Sequence, residues 1–225
     1  VHKRFINTDS TKEDVIALNS FSLDIKPGSF VSLIGPSGCG KSTLLRLIGG
    51  LDSPTEGTVY IDGREIKKPG SDRGFAIQGS NLFPWLTVEK NIAFGLKARH
   101  IYKEQKEAVN DFVKLVGLEG FEKSYPHQLS GGMQQRASLA RALVGHPSVL
   151  LLDEPLGALD AFTRMNLQDE ILNIWEKHNM TMVMVTHDVD EAIYMSDQVV
   201  VMSARPSKVE AVIDIDLSRP RARGQ

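Results

Sequence analysis

The chain has a single cysteine, Cys39. That excludes an internal disulfide framework and suits a reducing compartment. It has no surplus of basic charge: 26 Lys and Arg stand against 28 Asp and Glu, for a net charge of −2. Neither nucleic acid nor an anionic membrane surface is therefore an expected partner. No apolar run approaches the roughly 20 residues of a membrane-crossing helix, and no signal-peptide pattern opens the sequence. The chain is not expected to span a membrane, although it can sit beside one. Internal repeats and low-complexity stretches are also lacking. What remains is a length of 225 residues, which suits one large globular domain with a substantial core.

Against that background one stretch stands out. Residues 35–43 read Gly35, Pro36, Ser37, Gly38, Cys39, Gly40, Lys41, Ser42 and Thr43. This fills the phosphate-loop pattern G-x-x-x-x-G-K-[ST]. An apolar run, Phe30–Ile34, precedes it and predicts a strand. Leu44, Leu45, Leu47 and Ile48 follow at helical spacing. Polyphosphate needs many donors at short range. Glycines let backbone N–H groups turn inward toward it, and a helix N-terminus adds unpaired N–H groups and a favourable dipole. Lys41 supplies charge to the outer phosphates, and the Ser42 hydroxyl can ligate Mg2+. Cys39 within the loop reads as a small tolerated side chain.

Near the N-terminus, Val15–Leu18 and Phe21–Ile25 predict short strands ending at the turn Lys26-Pro27-Gly28, and a further strand signal follows over 57–61. From Thr87 to about Gly145 the periodicity is helical. Three later runs, 149–152, 181–185 and 198–202, are almost wholly apolar. Such strands, separated by helices, predict a parallel sheet covered on both faces. Leu167, Ile171 and Ile174 mark one face of a helix between the first two.

Chemistry-bearing residues follow these strands at equivalent places. Asp153 and Glu154 follow Leu152, and His187 follows the strand at 181–185. Parallel sheets bind ligands at the carboxyl ends of their strands, so residues distant in sequence converge on one nucleotide. Asp153 is placed as a magnesium-site carboxylate, Glu154 as a group that orients or deprotonates water, and His187 as a contact to the terminal phosphate. Alone, Asp-Glu is an ordinary helix start and a lone histidine is usually structural; the phosphate loop raises both. A second anion-receiving helix start lies at Leu129-Ser130-Gly131-Gly132-Met133-Gln134-Gln135, where Ser130 is a good N-cap and no acid occupies the first turn. With only one phosphate loop in the chain, a second receiving end implies a second copy.

Together these motifs resemble the nucleotide-binding subunit of ATP-binding cassette (ABC) transporters, over essentially the whole chain. Residues 35–43 resemble its Walker A loop, Leu150–Asp153 its Walker B strand with Glu154 as catalytic base, and Leu129–Gln134 its signature LSGGQ, with Met133 where Gln is frequent. Gln78 resembles the glutamine that touches Mg2+ and the attacking water. Residues 157–160 resemble the D-loop, with Gly157 where Ser is common and Asp160 at its end. His187 resembles the switch histidine, and Phe5 stands where an aromatic, usually Tyr, stacks on adenine. Gly79 departs from the acidic or polar residue expected after Gln78, which bears on the stiffness of that loop. The histidines at 2, 100, 127, 146 and 178 read as solvated or loop residues.

The resemblance implies an α/β fold: a P-loop NTPase (RecA-like) core with an N-terminal antiparallel β subdomain and an inserted helical subdomain at roughly 82–145. It implies ATP and Mg2+ as ligands, and closure of two copies head to tail over two ATP, each ATP held by Walker A of one chain and Ser130, Gly131 and Gly132 of the other. A narrower likeness, to nitrate/sulfonate/taurine-type importers, rests on residues 81–88 and on the tail from Met202 to Arg221. It implies separate transmembrane permease subunits, a periplasmic or lipoprotein solute-binding protein, and a place at the cytoplasmic face of the cell membrane. Phe83, Pro84 and Trp85 fit either a core plug or the groove that receives a permease helix. Non-transport ABC ATPases are the competing class. Only about fifty residues separate Gln78 from Leu129, without the sustained heptads that their coiled-coil arms require. Exporter or cell-division cassettes share the same chemistry.

Overall fold

The computed structural model describes residues 1–6, 13–77, 79, 81–157 and 159–223. Along the chain run β1 (Lys3–Phe5), β2 (Val15–Leu18), β3 (Phe30–Ile34), α1 (Lys41–Gly49), β4 (Tyr60–Ile61), β5 (Arg64–Glu65), β6 (Arg73–Ala76), α2 (Val88–Ile92), α3 (Phe94–Ala98), α4 (Lys106–Leu115), α5 (Gly131–Leu143), β7 (Val149–Asp153), α6 (Ala161–His178), β8 (Thr181–Val185), α7 (Val189–Met195), β9 (Gln198–Met202) and β10 (Val209–Asp214). The backbone divides into two compact units, residues 1–70 with 181–225, and residues 71–180.

In the first unit β3 lies between two strands from the far end of the sequence. It runs parallel to β8, with Phe30 opposite Met182 and Leu33 opposite Val185. On its other side it runs parallel to β9, with Val31 opposite Gln198 and Ile34 opposite Val201. Such strands have no solvent face. Phe30, Val31, Leu33, Met182, Val183, Met184, Val199 and Val200 are all buried, which is why these runs lack polar alternation. One polar pair interrupts the apolar layer: the hydroxyls of buried Ser32 and Ser196 share a 2.5 Å hydrogen bond. β10 closes the edge antiparallel to β9. β1 and β2 form an antiparallel pair, and β4 and β5 a two-residue hairpin.

The predicted strand over Phe21–Ile25 does not form. Phe21 is buried and exchanges backbone hydrogen bonds with Val1, but among the described residues the segment joins no strand ladder. Alternating burial without a ladder leaves it irregular. The strand signal over 57–61 narrows to Tyr60–Ile61.

The second unit pairs β6 parallel with β7, Ala76 opposite Leu152, and surrounds them with helices. α5 approaches β6 closely. A Cβ on Gly74 would stand 2.5 Å from the Ala142 carbonyl oxygen and 2.9 Å from Leu150 Cδ1, so glycine is what permits the contact. Leu167, Ile171 and Ile174 are the buried apolar residues of α6, as their spacing predicts. The spacing of Met133, Ala137, Ala140 and Val144 predicts one helix face, but the buried set on α5 is broader and Met133 is only half-buried. That set includes Gln135, Ser138, Leu139 and Leu143, because the helix packs on α2, α4 and β6 together.

Candidate functional site

The phosphate loop joins β3 to α1. Gly38 (φ +72°) and Gly40 (φ +115°) both occupy backbone regions that side chains strain to adopt, and Gly40 stands at the N-cap of α1. Gly35 is required for a different reason: a Cβ there would meet the Met202 carbonyl oxygen at 2.6 Å, where β9 ends beside the loop. No acid lies in the first turn of α1. Lys41 opens the helix at 8% exposure, and its ammonium donates to the carbonyls of Gly35 (2.7 Å) and Pro36 (2.9 Å). A buried cation thus sits over the concave side of its own loop, held by groups that a phosphate oxygen can replace. Buried Cys39 places its sulfur 3.9 Å from that ammonium. Pro36, Ser37, Gly38 and Ser42 are exposed, and Thr43 is half-buried.

His187 emerges at the same edge of this unit. β8 is the neighbour of β3, and the Thr186 N–H donates to the Leu33 carbonyl. Thr186 is buried and His187 exposed, one residue past the end of the ladder. The Thr186 hydroxyl accepts from the Asp188 N–H, and the Asp188 carboxylate accepts from the Glu191 N–H, capping α7 and fixing the turn on which His187 rides. Phe5 lies on β1, 42% exposed, with the Lys3 ammonium 4.9 Å from its ring centroid.

In the second unit Asp153 ends β7 at 4% exposure, after four wholly buried residues. Glu154 follows with φ +48°, in the left-handed region. Its carbonyl accepts from the Gln135 side-chain amide at 3.0 Å. β6 ends beside β7, and Gln78, two residues past that strand, lies outside the described residues, as does Ala158 of the D-loop. α5 begins at Ser130, whose hydroxyl accepts from the Met133 N–H at 3.3 Å, and its first turn carries no acid. Ser130 and Gly131 are exposed and Gly132 half-buried. The Gln134 amide donates to the Pro126 and Leu129 carbonyls, tying the approach to the helix start. Asp160 caps α6 by accepting from the Thr163 N–H at 3.0 Å, and the Thr163 hydrogen bonds hold its carboxyl below the usual range.

Phe83 is half-buried against Phe94, with ring centroids 4.5 Å apart, and the Arg141 guanidinium stands 5.5 Å from its ring centroid. Buried Asn91 fixes the loop around it, accepting from the Phe83 N–H and donating to the carbonyls of Phe83, Leu86 and Thr87. Trp85 projects from this anchored loop at 70% exposure. The cluster is therefore plug and surface at once.

A family model described as ABC transporter matches residues 18–157. The chain belongs to the ABC transporter family. An aliphatic sulfonates import ATP-binding protein, SsuB of Bacillus thuringiensis, is 55% identical over 207 residues, covering 92% of this chain and 82% of that protein. The bicarbonate transport ATP-binding protein CmpC of Synechococcus elongatus is 50% identical over 214 residues, covering 93% of this chain and 32% of that longer protein. Among solved structures, the dimeric ATP-binding cassette MJ0796, in a post-hydrolysis state bound to ADP and Pi, matches with a TM-score of 0.85 at 35% identity over 97% of each chain. The fold is that of the ABC ATPase cassettes, a P-loop NTPase fold.

Two residues that this ABC cassette ties to its motifs lie within the sequence patterns above, but without a role assigned there. Arg205 holds the phosphate loop through the Gly38 carbonyl, and Gln135 holds the backbone of Glu154. Gln135 closes the second motif, but its spacing does not name its partner. Arg205 carries no local signal for a target so far away in the chain. Among the described residues no three of His, Cys, Asp and Glu cluster as a protein metal cage would. Ser42 in the first unit and Asp153 in the second each offer an oxygen donor, the ligand type that a hard ion such as Mg2+ takes.

Proposed function

We propose that the chain is the ATP-hydrolysing subunit of an ABC importer, a peripheral protein at the cytoplasmic face of the cell membrane. The observation that carries this reading is the phosphate loop itself, with glycine-only geometry at Gly38 and Gly40 and a buried Lys41 at the head of α1. Chemistry follows from the residues. Backbone N–H groups of residues 35–43 and the Lys41 ammonium bind the phosphates of ATP. Ser42, Asp153 and Gln78 hold Mg2+, which neutralises phosphate charge. Glu154 takes the proton of the attacking water, Gln78 orients that water, and His187 contacts the terminal phosphate. Phe5 stacks on adenine. Ser130, Gly131 and Gly132 of a second copy receive the same ATP from the other side, with Asp160 near the junction, so that two copies close head to tail and hydrolysis resets them.

We read residues 1–225 as a single ABC ATPase domain with a helical subdomain at roughly 82–145. The exposed Trp85, on a loop anchored by Asn91 beside Phe83 and Pro84, supports that loop as the docking point of a transmembrane permease subunit. The relatives named for sulfonate import and bicarbonate transport both serve small anions. A small anion of the nitrate, sulfonate or taurine kind, delivered by a solute-binding protein, is the class of cargo proposed.

The test is Glu154→Gln, which keeps shape and removes the base. In saturating Mg-ATP the variant elutes from size exclusion as a dimer while its hydrolysis is abolished. A variant that hydrolyses ATP at the wild-type rate and stays monomeric overturns the reading.

A further inference from the structure

We infer that Gln135 is a positioning residue for Glu154, joining the helix that starts at the signature to the aim of the carboxylate that activates water. The inference rests on the reading of Glu154 as the base.

Gln135 lies one turn into α5 and is 8% exposed. Its side-chain amide crosses 19 positions of sequence to donate to the Glu154 carbonyl at 3.0 Å, and among the described residues its own Oε1 is buried without a partner. A buried amide satisfied at one end only is destabilising relative to an apolar side chain of the same shape. Packing alone therefore favours leucine or methionine here. What the glutamine contributes is the one bond it makes.

The acceptor of that bond is in an unusual state. Glu154 has φ +48°, a conformation that a side chain strains to adopt and that persists only where surrounding groups over-determine it. Its carbonyl also accepts a long 3.4 Å bond from the Gly157 N–H, which closes the following turn. The Gln135 bond is shorter and comes from outside that turn. The left-handed backbone sets the direction of the Cα–Cβ bond, and so where the carboxylate reaches. If Glu154 relaxes to negative φ, the carboxylate swings away while Asp153, fixed in the β7 ladder, stays. A displacement of about 1 Å at a reacting group is worth up to about 100-fold in rate. At its other end the bond is fixed to α5, a continuous helix from Gly131 to Leu143 whose first residues follow Ser130. Movement of that helix is transmitted to Glu154 within the same chain.

The test uses the full chain with two substitutions at Gln135, and Glu154→Gln alongside. Gln135→Leu keeps volume and removes the donor. It lowers kcat about tenfold or more, with the KM for ATP within about twofold, because ground-state binding does not involve Glu154. Gln135→Glu keeps shape and carries a donor only when protonated, which burial favours. Its kcat relative to wild type rises as pH falls, a readout that a purely structural role does not move. It also keeps the question answerable if Gln135→Leu fails to fold. Wild-type kcat in folded Gln135→Leu, or a pH-independent ratio for Gln135→Glu, overturns the inference. Should Glu154→Gln itself hydrolyse ATP normally, the reading of Glu154 as base falls instead. If Glu154→Gln is inactive and Gln135→Leu is normal, only the positioning role falls.

Discussion

The guanidinium of Arg205 donates twice to the carbonyl oxygen of Gly38, from Nε at 3.1 Å and from Nη2 at 2.6 Å, across 167 positions of sequence. The loop's carbonyls need donors of their own: Lys41 serves those of Gly35 and Pro36, and Arg205 serves that of Gly38. The turn that carries Arg205 is itself held. Ser207 lies between the Ala17 carbonyl and the Asn19 N–H in backbone hydrogen bonds, and the Ser203 hydroxyl accepts from the Lys208 N–H. Arg205→Ala frees the loop. An exposed charge-assisted contact is worth about 1 kcal/mol, so the KM for ATP rises about fivefold with kcat nearly unchanged. Steady-state titration with ATP decides it, and an unchanged KM removes Arg205 from the account of the loop.

Lys41 and Ser130 separate capture from completion. Lys41→Ala removes the charge on the outer phosphates, so ATP binding weakens and hydrolysis falls by orders of magnitude. Ser130→Arg places bulk at the start of α5 and leaves Lys41 and Asp153 untouched. Binding of a fluorescent ATP analogue by this variant is near normal while hydrolysis is lost. Wild-type turnover by Ser130→Arg contradicts the head-to-tail dimer.

His146 gives a pH dependence of stability. Although exposed, the imidazole lies beside the rings of His178 and Phe112; partial desolvation lowers its pKa, and the charges of His178 and Lys177 lower it further. The folded chain therefore takes up this proton less readily than the unfolded chain. The stability concerned is fully present above the ordinary histidine value of about 6.5 and is lost as pH falls through the depressed folded value. His146 has φ +45°, so asparagine is the tolerant replacement. Between pH 7.5 and 5.5 the melting temperature of wild type falls more than that of His146→Asn. Parallel curves for the two proteins refute the assignment.

α7 has no basic residue in its last turn. Two arginines from the tail serve instead. Arg221 Nη1 donates to the carbonyls of Ile193, Tyr194 and Ser196, and Arg219 Nη2 to Met195 and the Asp197 carboxylate. Arg221→Ala removes these three bonds and lowers stability by about 1 kcal/mol, read as a shift in the urea midpoint at constant m-value. A midpoint within error of wild type counts against the clamp.

Local patterns made the motifs legible. The phosphate loop, the apolar run ending at Asp153, the strand ending before His187 and the α6 face through Leu167, Ile171 and Ile174 each carry their signal in a few consecutive residues. Phe21–Ile25 misled because alternation does not supply a partner strand: Phe21 bonds to Val1, which lies outside β1. The Arg205 and Gln135 contacts were illegible because a hydrogen bond across 167 or 19 positions leaves no trace in local spacing. Asp160 illustrates a third case: its motif position was clear, but its duty as the cap of α6 shows only in the geometry at Thr163.

The strand that feeds the phosphate loop has both its neighbours downstream, in β8 and β9. Synthesis runs the other way. A nascent chain that has not yet reached Thr181 already contains the whole loop sequence, yet Phe30, Val31 and Leu33 have no strand to lie against and no sheet edge at which to present Lys41. Competence to hold a nucleotide thus arrives only after Met202 has left the ribosome, and the apolar residues of β3 wait uncovered until then. Such late closure of distant pairs makes for slow folding and long exposure of sticky surface. The most recognisable segment of the chain is made early and becomes functional late.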